Sequence, residues 1–145
     1  TDHVSVEDVK AALPQFVGNI SQIPPIFSAI KKDGKKLYQH AREGTSADDM
    51  KLEPRNVTIY DCQLYEKEGN APTMPKFDID VECGGGTYIR SLVRDIGYSL
   101  DTVATTTYLT RTKQGQFLLE ECLSRDDWHP DSIYAAIEKY NEQRE

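Results

Sequence analysis

Phe77, Ile79, Val81 and Cys83 alternate with Asp78, Asp80 and Glu82, the period of two that marks a strand with one face on a core and the other in water. The period then changes. Ile89, Leu92, Val93, Ile96 and Leu100 recur at helical spacing, so one stripe of a helix turns inward. Between the two stretches lies Gly84-Gly85-Gly86-Thr87-Tyr88-Ile89-Arg90. The glycines predict a strand-to-helix turn, with Thr87 placed to cap the new helix.

The same reading extends over the rest of the chain. Ser5, with Asp8 three residues later, predicts a short helix carrying Val6, Val9, Leu13 and Phe16 and stopping about Gly18. Ile23-Pro24-Pro25-Ile26 must be extended, since each proline steers its predecessor out of helix. Phe27 to Ile30 is expected as a short strand before the turn Lys32-Asp33-Gly34-Lys35. Leu37 to Glu43 reads as a brief helix ending at Gly44, with Tyr38 and Arg42 on one side. An exposed polar loop is expected from Thr45 to Glu53. Val57 to Tyr65 alternates, with Val57 and Ile59 assigned to one face and Tyr60, Cys62 and Leu64 to the other. This strand forms a hairpin with the Phe77 strand through an irregular Glu66 to Lys76 connection. Val103 to Thr112, rich in threonine and holding Tyr108, suits another strand, turned back at Gln114-Gly115 into Phe117-Leu118-Leu119. Ser124 caps a turn with Asp127, and a last helix carries Ile133, Ala136, Ile137 and Tyr140 in register. Strands interrupted by a few helices, without a regular repeat, indicate an α+β fold with a mostly antiparallel, mixed sheet flanked by helices. At 145 residues one domain over residues 1–145 is the expectation.

With 38% apolar and 28% charged residues the composition is that of a soluble globular protein, and no apolar run approaches a membrane span. The net charge of −7 argues mildly against a nucleic-acid partner. Its distribution weakens that objection, because Lys31, Lys32, Lys35, Lys36, Arg42 and Arg55 cluster while many of the acids lie in the last 26 residues. Cys62, Cys83 and Cys122 are far apart and contain no C-x-x-C pair, so neither zinc nor a disulfide framework is indicated. The odd count fits a reducing intracellular compartment.

For the glycine run two readings stand: a cradle for an anion, or a turn made of glycine only so that the backbone can bend. It is neither the dinucleotide G-x-G-x-x-G pattern nor a phosphate loop ending in Gly-Lys-Ser/Thr. Arginine favours the first reading. Arg90 lies in the first helical turn and Arg94 four residues on, so both project from one face. A cation there opposes the helix dipole, which implies a carboxylate or phosphate partner.

Several segments agree, in order, with a known family. They are Gln22-Ile23-Pro24-Pro25-Ile26-Phe27-Ser28-Ala29-Ile30-Lys31, Gly34 with Leu37-Tyr38 and Ala41-Arg42-Glu43-Gly44, Arg55-Asn56-Val57-Thr58-Ile59-Tyr60, Gly86-Thr87-Tyr88-Ile89-Arg90, and Tyr108-Leu109-Thr110-Arg111-Thr112 followed by Gly115 and Phe117. On these motifs the chain resembles the TruB family of tRNA pseudouridine synthases, which isomerise a uridine of the tRNA T-loop. The resemblance implies a pseudouridine-synthase-like fold and a base-flipping enzyme that uses neither cofactor nor metal. In it an aspartate acts as nucleophile or base while the bond from the ribose to uracil N1 breaks, the uracil rotates, and a new bond joins the ribose to its C5. By position, Arg90 corresponds to the arginine paired with that aspartate and Tyr88 to the tyrosine beside the flipped base. Leu109 corresponds to an apolar wall of the pocket, with Gly86 and Thr87 shaping the approach. Lys31, Lys32, Lys35, Tyr38, Arg42 and Arg111 are the expected RNA contacts, charges for phosphate and a ring for stacking. Ordinary core packing for Tyr88 and Leu109, and a solvated basic face for the lysines, are the competing readings.

The family's Gly-x-Leu-Asp-Pro segment, which holds the catalytic aspartate, does not occur in these 145 residues, nor does the stacking tyrosine that follows it. The chain is therefore expected to be the carboxyl-side part of an incomplete catalytic domain and inactive alone. A degenerate relative acting as an RNA-binding module without chemistry and a guide-RNA-dependent synthase are the alternatives. The expected partner is the tRNA T-arm, with no membrane and no small-molecule cofactor, and the expected state is a monomer. The expected location is intracellular: nucleus or mitochondrion if eukaryotic, cytoplasm if bacterial.

Overall fold

A computed structural model describes residues 3–46, 49–66 and 72–142. The chain resolves into two compact units, Thr1–Thr107 and Tyr108–Glu145, where its length alone suggests one.

In the first unit, helix α1 (Val6–Ala12) starts from a reciprocal cap: Asp8 N–H donates to Ser5 Oγ at 3.1 Å, and Ser5 N–H to Asp8 Oδ2 at 2.8 Å. A 3₁₀ turn (Leu13–Phe16) extends it. Then comes β1 (Gly18–Gln22), a polar strand that the hydrophobic pattern does not announce. β1 pairs antiparallel with the long β4 (Arg55–Tyr65), and β4 with β5 (Asp78–Cys83), giving a three-stranded sheet ordered β1-β4-β5. Val9, Leu13, Ile59, Cys62, Leu92 and Ile96 form the core where α1, β4 and helix α3 (Ile89–Ser99) meet, with Ile20, Leu64, Phe77, Ile79 and Val81 packed around it.

Three expectations are corrected here. The strict alternation assigned to Val57–Tyr65 fails at a β-bulge between Ile59 and Asp61. Tyr60 is the extra residue, so Cys62 and Leu64 join Ile59 in the core instead of facing away from it. Phe27–Ile30 is irregular; the strands are instead β2 (Lys31–Lys32) and β3 (Lys35–Lys36), joined through Asp33 (φ 51°) and Gly34 (φ 80°) in the two-residue turn that demands left-handed backbone. Val103–Thr112 forms no strand, because β-propensity reflects fit to a half-buried sheet surface and Tyr108 is 85% exposed. Helix α2 (Leu37–Arg42) ends as expected at Gly44 (φ 89°). Residues 47–48 of the polar loop and 67–71 of the β4–β5 connection lie outside the described residues.

The second unit contains β6 (Lys113–Gln114) and β7 (Phe117–Leu118), paired about Gly115, and helix α4 (Pro130–Glu142). Phe117 stacks on Tyr140 with ring centroids 5.0 Å apart.

Candidate functional site

The strand-to-helix turn after β5 is built by short bonds that the glycines permit. Gly84 N–H donates to Thr58 O at 2.8 Å, and Gly86 takes φ 85°, which a residue with a Cβ rarely adopts. Thr87 does not cap the helix. Its hydroxyl donates to Gly84 O at 2.9 Å and closes the turn, while Tyr88, extended at φ −102° and ψ 101°, holds the N-cap position with no side-chain cap on the helix.

A second strand of chain is fastened across this helix start. Gln22, the last residue of β1, is completely buried; its Oε1 accepts from Tyr88 N–H at 3.0 Å and its Nε2 donates to Tyr88 O at 3.3 Å. Ser91 Oγ donates to Ile23 O at 2.8 Å and Arg94 Nη2 to the same oxygen at 3.4 Å. Arg90 Nη2 donates to Phe27 O at 2.9 Å. The proline-rich segment cannot form a ladder through its imide nitrogens, so its carbonyls are met by side chains from the first turns of α3.

Arg90 is exposed, and among the described residues no carboxylate forms an ion pair with it. A guanidinium carries five N–H donors in a rigid fork, and a bond to one carbonyl leaves most of them for an anion. Arg94 differs: its Nε donates to Asp95 Oδ1 at 2.8 Å. Gly86, Thr87, Tyr88 and Arg90 thus share one turn, held by Gln22 and Ser91, two positioning residues that sequence reasoning missed. A polar residue closing a polar strand just before a Pro-Pro pair was the available signal for Gln22.

The basic stretch separates into residues with and without partners inside the protein. Lys32 Nζ donates to Met50 O and, at 3.2 Å, to Lys51 O, tying the hairpin to the loop; Lys35 pairs with Glu43 at 2.9 Å. That lysine holds the Glu43 carboxyl below the usual carboxylate range. Lys31 is exposed. Two cations lie near the Tyr38 ring, Lys36 Nζ 5.6 Å and Arg42 Cζ 5.3 Å from its centroid. Leu109, 57% exposed, and Arg111, whose Nη1 donates to Gln114 Oε1, belong to the second unit.

A depression of about 310 Å³ lined by Lys10, Leu13, Cys62, Leu64 and Glu66 includes none of these residues. Burial and the nearby Asp61 charge push the Cys62 thiol up to about 11, out of reach of neutral-pH chemistry. Among the described residues no three His, Cys, Asp or Glu side chains are grouped to hold a metal, and no helix is long and apolar enough to cross a membrane.

Residues 1–89 match the model of the TruB family pseudouridylate synthase, N-terminal domain. The chain belongs to the TruB family. It is 44% identical over 138 residues to a human protein named pseudouridylate synthase TRUB1, covering 94% of this chain and 38% of that one. A tRNA pseudouridine synthase B of Phocaeicola vulgatus is 44% identical over 124 residues, covering 86% of this chain and 49% of that one. The chain thus spans less than half the length of these relatives. Among solved structures, a chain of a Cbf5-Nop10-Gar1 complex superposes with a TM-score of 0.62 at 26% identity, covering 96% of this chain and 34% of that one. The helices and antiparallel strands of this chain agree with the α+β class expected from the sequence.

Proposed function

We propose that this chain is part of a tRNA pseudouridine synthase, an isomerase that converts a T-loop uridine to pseudouridine, and that the Tyr88–Arg90 turn faces the flipped base. The observation that carries the reading is the anchoring of that turn: Gln22 fixes Tyr88 and the Phe27 carbonyl orients Arg90. An arginine set against the helix dipole, with most of its donors unused, is suited to a carboxylate from another segment of the protein, one that acts on the uridine. Arg90 would keep that carboxylate ionised and aimed. Tyr88 would pack beside the uracil.

The same reading gives the β2–β3 hairpin and α2 the role of gripping RNA. Lys31 and Arg42 offer charge to phosphates, and Tyr38, with Lys36 and Arg42 near its ring, offers an aromatic for stacking. Lys32 and Lys35, already bonded to carbonyls and to Glu43, shape this segment more than they contact the ligand.

The test uses the full-length protein and a T-arm RNA hairpin, with pseudouridine detected by chemical labelling. Conversion at the T-loop uridine by the full-length protein, and none by residues 1–145 alone, is the expected result. Tight binding without conversion would favour an RNA-binding module instead.

A further inference from the structure

We infer that Gln22 is a positioning residue for the reaction, acting on the active-site tyrosine through its backbone. This rests on the functional reading above and adds to it a residue remote from the substrate. Gln22 is a fully buried polar side chain, and both ends of its carboxamide are spent on one residue. Oε1 accepts from the N–H of Tyr88 at 3.0 Å, and Nε2 donates to the carbonyl of Tyr88 at 3.3 Å.

The geometry decides what such a pair controls. The N–H of Tyr88 belongs to the peptide plane before its Cα, and the C=O to the plane after it. Holding both planes against one rigid amide fixes the two dihedrals between them, observed at φ −102° and ψ 101°. With φ and ψ fixed, the Cα–Cβ direction of Tyr88 is fixed. The other bonds between the proline-rich segment and α3 act elsewhere: Ser91 and Arg94 meet Ile23 O, and Arg90 meets Phe27 O. None of them touches Tyr88. Gln22 Oε1 meets the N–H of the N-cap residue itself, the bond that the third helical residue makes in a capping box, here from 66 residues away in sequence.

An amide that is both donor and acceptor is required. Gln22→Met keeps the chain length and loses both bonds, while Gln22→Asn keeps the carboxamide but falls one methylene short. In the full-length enzyme, both variants should lower kcat on a saturating T-arm hairpin by about tenfold to a hundredfold per folded molecule, the scale of a small misplacement of a catalytic group. KM and the Kd for the same hairpin should stay within about twofold, because the RNA-gripping segment is separate. The Asn variant keeps a polar group in the site should the Met variant not fold. Ser5→Ala, which removes a cap on α1 far in sequence from this turn, should leave kcat per folded molecule unchanged. An active wild-type enzyme whose two Gln22 variants retain full kcat, or lose only RNA affinity, would overturn the inference alone. A wild-type enzyme that leaves the RNA unmodified would overturn the functional reading, and this inference with it.

Discussion

Gly97→Ala tests how tightly the helix that carries Arg90 is seated. Gly97 is buried in the third turn of α3, and a Cβ built there would lie 2.5 Å from Ala104 N, 2.9 Å from Val103 C and 3.0 Å from Ala104 Cβ. Two of these are backbone atoms that no rotamer change can move. The Gly97 carbonyl also accepts from Leu100 N–H at 3.1 Å and Thr102 N–H at 3.0 Å, so moving 103–104 away opens the turn that ends the helix. In a solvated helix interior the change would be stabilising by about 1 kcal/mol. Here overpacking of about 1–3 kcal/mol opposes it, and a backbone obstruction places the cost toward the upper end. A net loss of about 1–2 kcal/mol is expected, which at a urea m-value of about 2 kcal/mol/M lowers the midpoint by roughly 0.5–1 M. Urea titration followed by circular dichroism reads it. A midpoint equal to or above that of the unsubstituted chain would show that α3 can withdraw from 103–104 without cost, and the close seating argued here would be wrong.

The Ser5 cap holds Asp8 below its ordinary value of 3.8, chiefly through the Ser5 hydroxyl and then its amide. A depressed carboxyl contributes stability above its unfolded pKa and loses it as pH falls through the lower folded value. Ser5→Ala should therefore raise the Asp8 pKa toward 3.8 in an NMR titration, and an unchanged titration would contradict the cap. Cys62, 4% exposed and with its thiol pushed up to about 11, should resist iodoacetamide at pH 8 while the exposed Cys122 is alkylated; equal labelling rates in the native protein would refute that burial.

The elements read most easily from the sequence were those in which one period ran uninterrupted. β5 and α3 are such cases: each keeps its apolar stripe on the core, and the glycines between them leave no other place for the turn. β4 shows where the pattern misleads, because a bulge adds one residue with no glycine or proline to mark it, and every later side chain changes face. β1 is short and carries one apolar residue, Ile20, so its pairing with β4 leaves little periodic signal in the sequence. In 103–112 the threonines and Tyr108 have strand propensity but no paired neighbour. At the site, Tyr88 and Arg90 were legible as a motif. Their anchors were not, since a single buried glutamine and a carbonyl 63 residues from its arginine leave no local periodicity.

The proposal depends most on Arg90. Arg90→Ala in the full-length protein, assayed for pseudouridine formation on a saturating T-arm hairpin, measures it directly. Loss of a preorganised charge at the reacting centre should lower kcat by about 10²–10³-fold, with RNA affinity and thermal stability close to those of the wild type. Turnover equal to that of the wild type would contradict the claim that this guanidinium serves the chemistry.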